Sequence, residues 1–337
     1  MRTAHHWVAS DKLDHPYIPK LYENARWYNW PTRVLPIPLQ PDEKFSFIWK
    51  LRTLLRAAKM VHPDDLIIFT DAFDVIINNA WQTTIDQALE ALEFYQVQIL
   101  VASETNCWPS KTLQSFFDGL WPQIPNRYPN TGLIVGRAGH IVQCLEDLQV
   151  EQEPPFDRDD QHVFIRAMVR QSINLKDHDL NDPSSDGLSN GWNAEQWDLI
   201  QKTPYTSIPI GMDMDSRVML CAHDREDWID HANHRKGIRV APLIHFNGTK
   251  TGIPKAWRIA GLQTYESDPS LVSKSFYAEL GIKPSSRCDW DVLLWIISIL
   301  CLILLGLGAY FFYSSKSSHA FRPLTVTNPN EMSRLES

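Results

Sequence analysis

LIIFTDAFDVIIN, residues 66–78, sets an apolar run against two carboxylates, Asp71 and Asp74, with only Ala72 and Phe73 between them. The length and content of LIIFTDAFDVII, 66–77, predict a buried strand. Bare carboxylates do not belong in one, because burying an unpaired charge is expensive. If the chain turns where the strand ends, acids at i and i+3 face a single point. A hard divalent cation with oxygen ligands then offsets their repulsion and keeps positions open for substrate phosphates. The plainer alternative is a strand end with one capping and one solvated aspartate.

Outward from this stretch, strand and helix patterns alternate. HHWVAS (5–10) reads as a first strand, and the second half of LDHPYIPKLYENARWYNW (13–30) as a helix. RVLPIPLQP (33–41) is extended and interrupted by prolines. FSFIWKLRTLLRAAKMV (45–61) has the i, i+3, i+4 rhythm of an amphipathic helix. TIDQALEALEFYQ (84–96) predicts a helix, QILVASE (98–104) a strand, YPNTGLIVGRA (128–138) a strand, and AGHIVQCLEDLQ (138–149) and DDQHVFIRAMV (159–169) helices. LIHFNGTKTG (243–252) reads as a strand running into a glycine loop. This alternation predicts α/β layers around a mainly parallel sheet, with ligands gathered beyond the carboxyl ends of the strands. Asp71 and Asp74, the stretch from Glu104 to Trp108, and the stretch from His245 to Lys250 all fall at such ends. The segment 176–210 is polar and turn-rich, and predicts an inserted excursion.

Composition narrows the function classes. The 337 residues carry a formal charge of −8 with no long basic run, which argues against a nucleic-acid partner held through phosphates. Five cysteines, at 107, 144, 221, 288 and 301, are scattered without a CxxC, so neither a disulfide framework nor a zinc ribbon is expected. Thirteen tryptophans suit a core, and equally suit sugar faces and bases.

MRTAHHWVASDKLDH lacks the apolar core of a signal peptide. VLLWIISILCLILLGLGAYFFY, residues 292–313, is 22 residues long and uncharged, enough for the roughly 20 that a spanning helix needs. Trp290, Trp295, Tyr310 and Tyr313 lie near its ends, as an aromatic belt would. The expectation is a single-pass membrane protein: a catalytic domain over 1–285 facing the cytosol, a transmembrane helix over 292–313 in the lipid bilayer, and a polar tail over 314–337.

Further motifs offer chemistry. In IHFNGTK (244–250), His245 is a candidate third metal ligand. Gly248 permits close backbone approach, and Lys250 offers a point charge to a phosphate. In DRDDQ (157–161), Asp157, Asp159 and Asp160 open an apolar helix, where the helix dipole favours acids. The sharper reading is a cluster that orients an acceptor hydroxyl or takes its proton. Gly187 to Gly191 spells G-x-S-x-G but lacks the preceding strand of a nucleophile elbow. His223, His231 and His234 sit among acids and read as a solvated face rather than a zinc site.

Six motifs in order resemble the glycosyltransferase domain of procollagen lysyl hydroxylases and related procollagen glycosyltransferases. They are FTDAFDV (69–75), ASETNCWP (102–109), PNTGLIVG (129–136), DRDDQHVF (157–164), IPIGMDMDSRVML (208–220, similar to that family's late strand) and IHFNGTK (244–250). The resemblance implies a GT-A-type, Rossmann-like α/β fold, and a glycosyltransferase using a UDP-sugar donor, Mn²⁺ and a hydroxyl-bearing protein or glycan acceptor. It implies that Asp71, Asp74 and His245 hold the metal. Phe73, where many relatives have Tyr, would lie against the uracil. Ser10, Lys44, Gly248 and Lys250 would line the nucleotide. Glu104, Trp108, Asn130, Asp159 and Asp160 would belong to the sugar or acceptor side, with Asn247 at the sugar and Asp159 or Asp160 taking the acceptor's proton. A non-catalytic, membrane-tethered nucleotide- or glycan-binding module, and a sugar-diphosphate hydrolase, are the alternatives.

Overall fold

The computed structural model describes residues 3–39, 44–174, 192–222, 228–232, 234, 236 and 238–247. All of these lie in one compact unit, Met1–Tyr265. The expected spanning segment 292–313 and tail 314–337 lie outside the described residues. Among the described residues no helix is long and apolar enough to cross a membrane.

In chain order the elements are β1 (Ala4–Ser10), α1 (Tyr17–Trp27), β2 (Thr32–Pro36), α2 (Ile48–Ala58), β3 (Leu66–Thr70), β4 (Val75–Ile77), α3 (Trp81–Phe94), β5 (Ile99–Glu104), α4 (Gln114–Leu120) and β6 (Tyr128–Arg137). They continue with α5 (Ala138–Asp147), α6 (Asp160–Asn174), α7 (Ala194–Gln201), β7 (Ile210–Asp213), β8 (Met219–Cys221), α8 (Trp228–Ala232) and β9 (Leu243–His245).

A six-stranded sheet runs β2-β1-β3-β6-β5-β7, and a three-stranded sheet runs β4-β9-β8. In the larger sheet β1 pairs in parallel with β2 and β3, and β5 with β7, while β6 runs antiparallel to both its neighbours. The fold is mixed α/β with a mainly parallel sheet. β3 and β5 are buried along their whole length, which is why LIIFT and ILVASE read as continuous apolar runs instead of alternating ones. One core layer gathers Leu51, Leu54, Phe69, Phe117 and Phe164 on one side of the sheet. A second gathers Leu21, Ile68, Ile77, Ala88 and Leu133 on the other.

Four expectations change. The run 66–77 is two strands in two sheets: β3 stops at Thr70 and β4 starts at Val75, with the acids in the break. IPIGMDMDSRVML likewise divides into β7 and β8, in different sheets. Asp213 forces the turn between them, its carboxylate accepting backbone N–H bonds from Arg217, Val218 and Met219 at 2.7–2.9 Å. α1 starts earlier than expected, at Tyr17, because Pro19 lies in the first turn, where a missing N–H costs nothing. Residues 192–210, half of the expected excursion, pack onto the domain. Asn193 and Gln196 make a capping box, and Gln196 Nε2 donates to the Thr112 carbonyl at 2.6 Å. The remainder, 176–191, includes the G-x-S-x-G match and lies outside the described residues.

Candidate metal and transfer site

The parallel strands end together. β1 ends at Ser10, β3 at Thr70 and β5 at Glu104, and antiparallel β6 brings Asn130 to the same edge, opposite Ala102. Beyond that edge the chain breaks out of β3 through Asp71 and re-enters order at β4. β4 pairs antiparallel with β9, placing Val75 opposite His245. This pairing delivers a histidine 171 positions beyond Asp74 to the aspartates. The Phe246 N–H donates to the Asp74 carbonyl at 2.8 Å, fixing the junction.

The three side chains converge. Ligand atoms of Asp71, Asp74 and His245 all lie within 4.8 Å of one another. His245 Nε2 is 3.5 Å from Asp71 Oδ2 and 3.3 Å from Asp74 Oδ2. Adjacent ligands of an octahedral cation with bonds of about 2.1 Å stand roughly 3 Å apart, so the spacing fits such an ion without rearrangement. Two carboxylates and one imidazole form a mixed oxygen and nitrogen set that suits a divalent cation. The three residues make a candidate Asp-Asp-His metal site.

Gly132 explains how the ring is held. A Cβ at Gly132 would collide with the His245 ring and lie 2.8 Å from Asn130 Oδ1. Cys221 is directly opposite His245 in the β8–β9 pairing, with its sulfur 3.9 Å from Nδ1.

Next to the candidate metal ligands stands a lysine that no motif singled out. Lys50, on α2, is only 7% exposed. Its Nζ lies 2.5 Å from Asp71 Oδ1 and 2.7 Å from Asp160 Oδ2. Burial works against its charge, but Asp160 and Asp71 outweigh that cost and hold the ammonium above its ordinary value. Lys44, placed at the nucleotide by the resemblance, is exposed.

The acid cluster at the start of α6 divides by role. Asp157 is taken up by Arg166 and His162, at 2.9 and 2.7 Å, and ties the loop to its helix. Asp159 caps α6, accepting from the His162 N–H at 3.0 Å. Burial, with Asp160 adding repulsion, pushes the Asp159 carboxyl up to about 6. Asp160 is buried and points back to Lys50.

Glu104 is a hub. Its carboxylate accepts from Asn130 Nδ2 at 3.0 Å, from Gln161 Nε2 at 2.7 Å and from Asn247 Nδ2. Gln161 also donates to the Trp108 carbonyl at 3.0 Å, so α6 holds the loop that carries Trp108. Trp108 itself is 62% exposed. Burial pushes the Glu104 carboxyl up, opposed by the three amides. Gln161, like Lys50, was missed; its signal was its place directly after the acid run.

Ser10 is buried, its hydroxyl occupied by Lys12 backbone groups at 3.0 and 3.1 Å. Phe73 is half-buried, its ring 4.2 Å from His15. Gly248 and Lys250 lie outside the described residues. His231 and His234 are not merely a solvated face. His231 Nδ1 accepts from the Ala241 N–H at 3.0 Å, and His234 Nε2 lies 2.8 Å from the Asn78 carbonyl. His223 lies outside the described residues.

Residues 46–182 match the family described as PLOD GT domain. The chain carries a glycosyltransferase-like domain. That domain is 33% identical over 117 residues to a Drosophila melanogaster procollagen-lysine,2-oxoglutarate 5-dioxygenase, covering 34% of this chain and 14% of that protein. It is 25% identical over 117 residues to a Caenorhabditis elegans multifunctional procollagen lysine hydroxylase and glycosyltransferase, covering 33% of this chain and 15% of that protein. The match thus spans about one-seventh of each relative's length. Among solved structures the glycosyltransferase-like domain is similar to a glycosyltransferase involved in the glycosylation of the major capsid of PBCV-1. The TM-score is 0.39 at 12% identity, covering 77% of this chain and 98% of that one. The matched segment holds Lys50, Asp71, Asp74, Glu104, Asn130, Asp159 and Asp160; His245 lies outside it.

Proposed function

We propose that this chain is a membrane-anchored glycosyltransferase moving a hexose from a UDP-sugar to a hydroxyl on a protein or glycan, with Mn²⁺ as its cation. The observation that carries the reading is the convergence of Asp71, Asp74 and His245 at the carboxyl edge of the sheet, beside the buried Lys50–Asp160 pair. The family match of residues 46–182 supports it.

The departing nucleoside diphosphate gains negative charge, and a divalent cation held by Asp71, Asp74 and His245 supplies Lewis-acid stabilisation of it. Lys250 would add a point charge and Gly248 a close backbone approach. Phe73 would lie against the base, with Ser10 and Lys44 at the nucleotide's rim. Trp108, largely exposed, would stack on the apolar side of a hexose. Glu104, clamped by three amides, would orient Asn130 and Asn247 at the sugar or acceptor side. Asp159, whose carboxyl is pushed up to about 6, would serve as the base for the acceptor hydroxyl, with Asp160 the alternative. The segment 292–313 would hold the domain at the bilayer, facing the cytosol.

The test is a donor screen: full-length protein, a panel of UDP- and GDP-sugars, and Mn²⁺ present or absent. Metal-dependent UDP release from at least one UDP-hexose is expected. No turnover and no nucleotide binding across the panel overturns the reading. UDP binding without release favours the non-catalytic module, and water as acceptor when hydroxyl acceptors are supplied favours the hydrolase.

A further inference from the structure

Asp71 uses its two oxygens differently. Oδ1 is 2.5 Å from Lys50 Nζ, and Oδ2 faces the ligand cluster, 3.5 Å from His245 Nε2. Lys50 is poorly solvated: it is 7% exposed, and its charged head meets Asp71, Asp160 and the face of Phe47, 5.7 Å from the ring centroid. A fixed positive charge is therefore bound to one of the three residues that would hold a divalent cation. Two like charges sharing one carboxylate compete for it, and in a poorly solvated site the competition is weakly screened.

We propose that Lys50 is a positioning residue that competes with the metal for Asp71. It keeps one Asp71 oxygen out of the ligand set, so the site takes its cation loosely and through single oxygens, leaving positions for a diphosphate. The same ammonium ties Asp71 to Asp160, so the metal side and the acceptor side of the cleft share one cation. This rests on the metal reading above.

The probe is Mn²⁺ alone, titrated into full-length protein at fixed pH without nucleotide, with free Mn²⁺ followed by electron paramagnetic resonance. Lys50→Met is expected to tighten Mn²⁺ binding by about tenfold or more, and Lys50→Arg to stay within about threefold of wild type. The deciding variant is the double substitution Lys50→Met/Asp160→Asn. It removes the pair without changing the net charge of the site, and it leaves no bare buried carboxylate at Asp160 to unfold the domain. It too binds Mn²⁺ more tightly than wild type if Lys50 competes for Asp71. Equal or weaker binding by the double variant overturns the inference while leaving the metal site standing. Absence of Mn²⁺ binding in wild type and variants alike overturns the metal reading and this inference together.

Discussion

The Asp74 carbonyl accepts from the Phe246 N–H, a backbone bond that substitution of the side chain keeps. Asp74→Ala is therefore expected to fold normally by circular dichroism yet lose more than about 100-fold in metal-dependent turnover, beyond the 10–100-fold typical of an outer-shell change. Asp159 predicts a pH dependence. Its carboxyl is pushed up to about 6 by burial and by Asp160, so it is ionised above that pH and protonated below. If it accepts the acceptor's proton, kcat/KM falls as pH drops through about 6, and Asp159→Asn abolishes that limb along with most activity. The sign for stability is opposite. A raised folded pKa means the folded state binds the proton more tightly, so this group favours folding below the unfolded value near 4 and loses that contribution as pH rises through about 6. Asp71 and Asp74 were legible because carboxylates contrast with an apolar run. Lys50 was not, because a cation on an amphipathic helix looks the same in sequence whether it meets water or two buried acids.

At the scale of elements, the site depends on a small sheet that no periodicity announced. β4 and β9 have three residues each, too short to show a period of two, and their pairing joins positions far apart in the chain. Asn24 on α1 secures that sheet's edge: its side chain donates to the Ile77 carbonyl at 2.9 Å and accepts from the Ile77 N–H at 2.7 Å. Asn24→Ala leaves both groups without these bonds, and urea titration should show a loss of about 1–3 kcal/mol. Gly132 makes the complementary point for β6. Gly132→Ala drives a methyl into the His245 ring, so it should weaken Mn²⁺ binding even in protein that remains folded. The long strands and helices were readable because their apolar runs outlast a turn. The antiparallel course of β6 was not, since a fully buried strand reads alike in either direction.

For the whole molecule, the described domain holds the candidate site, and the proposed location rests on the sequence of 292–313 alone. Its 22 uncharged residues predict that full-length protein stays in the pellet after alkaline carbonate extraction; release to the supernatant would contradict a spanning helix. The carboxyl edge of the larger sheet was readable from motif order, because polar clusters follow the apolar strands β3 and β5; the third cluster, from His245, follows β9 of the smaller sheet. What the sequence withheld was how the clusters connect: Lys50 joining Asp71 to Asp160, and Gln161 joining Glu104 to the Trp108 loop. The central claim is that Asp71, Asp74 and His245 form one metal centre. Anomalous diffraction from crystals soaked in Mn²⁺ tests it most directly. The account predicts a single strong peak at about 2.0–2.4 Å from one atom of each of these three residues. A peak elsewhere on the domain, or none in protein that turns over with Mn²⁺, contradicts it.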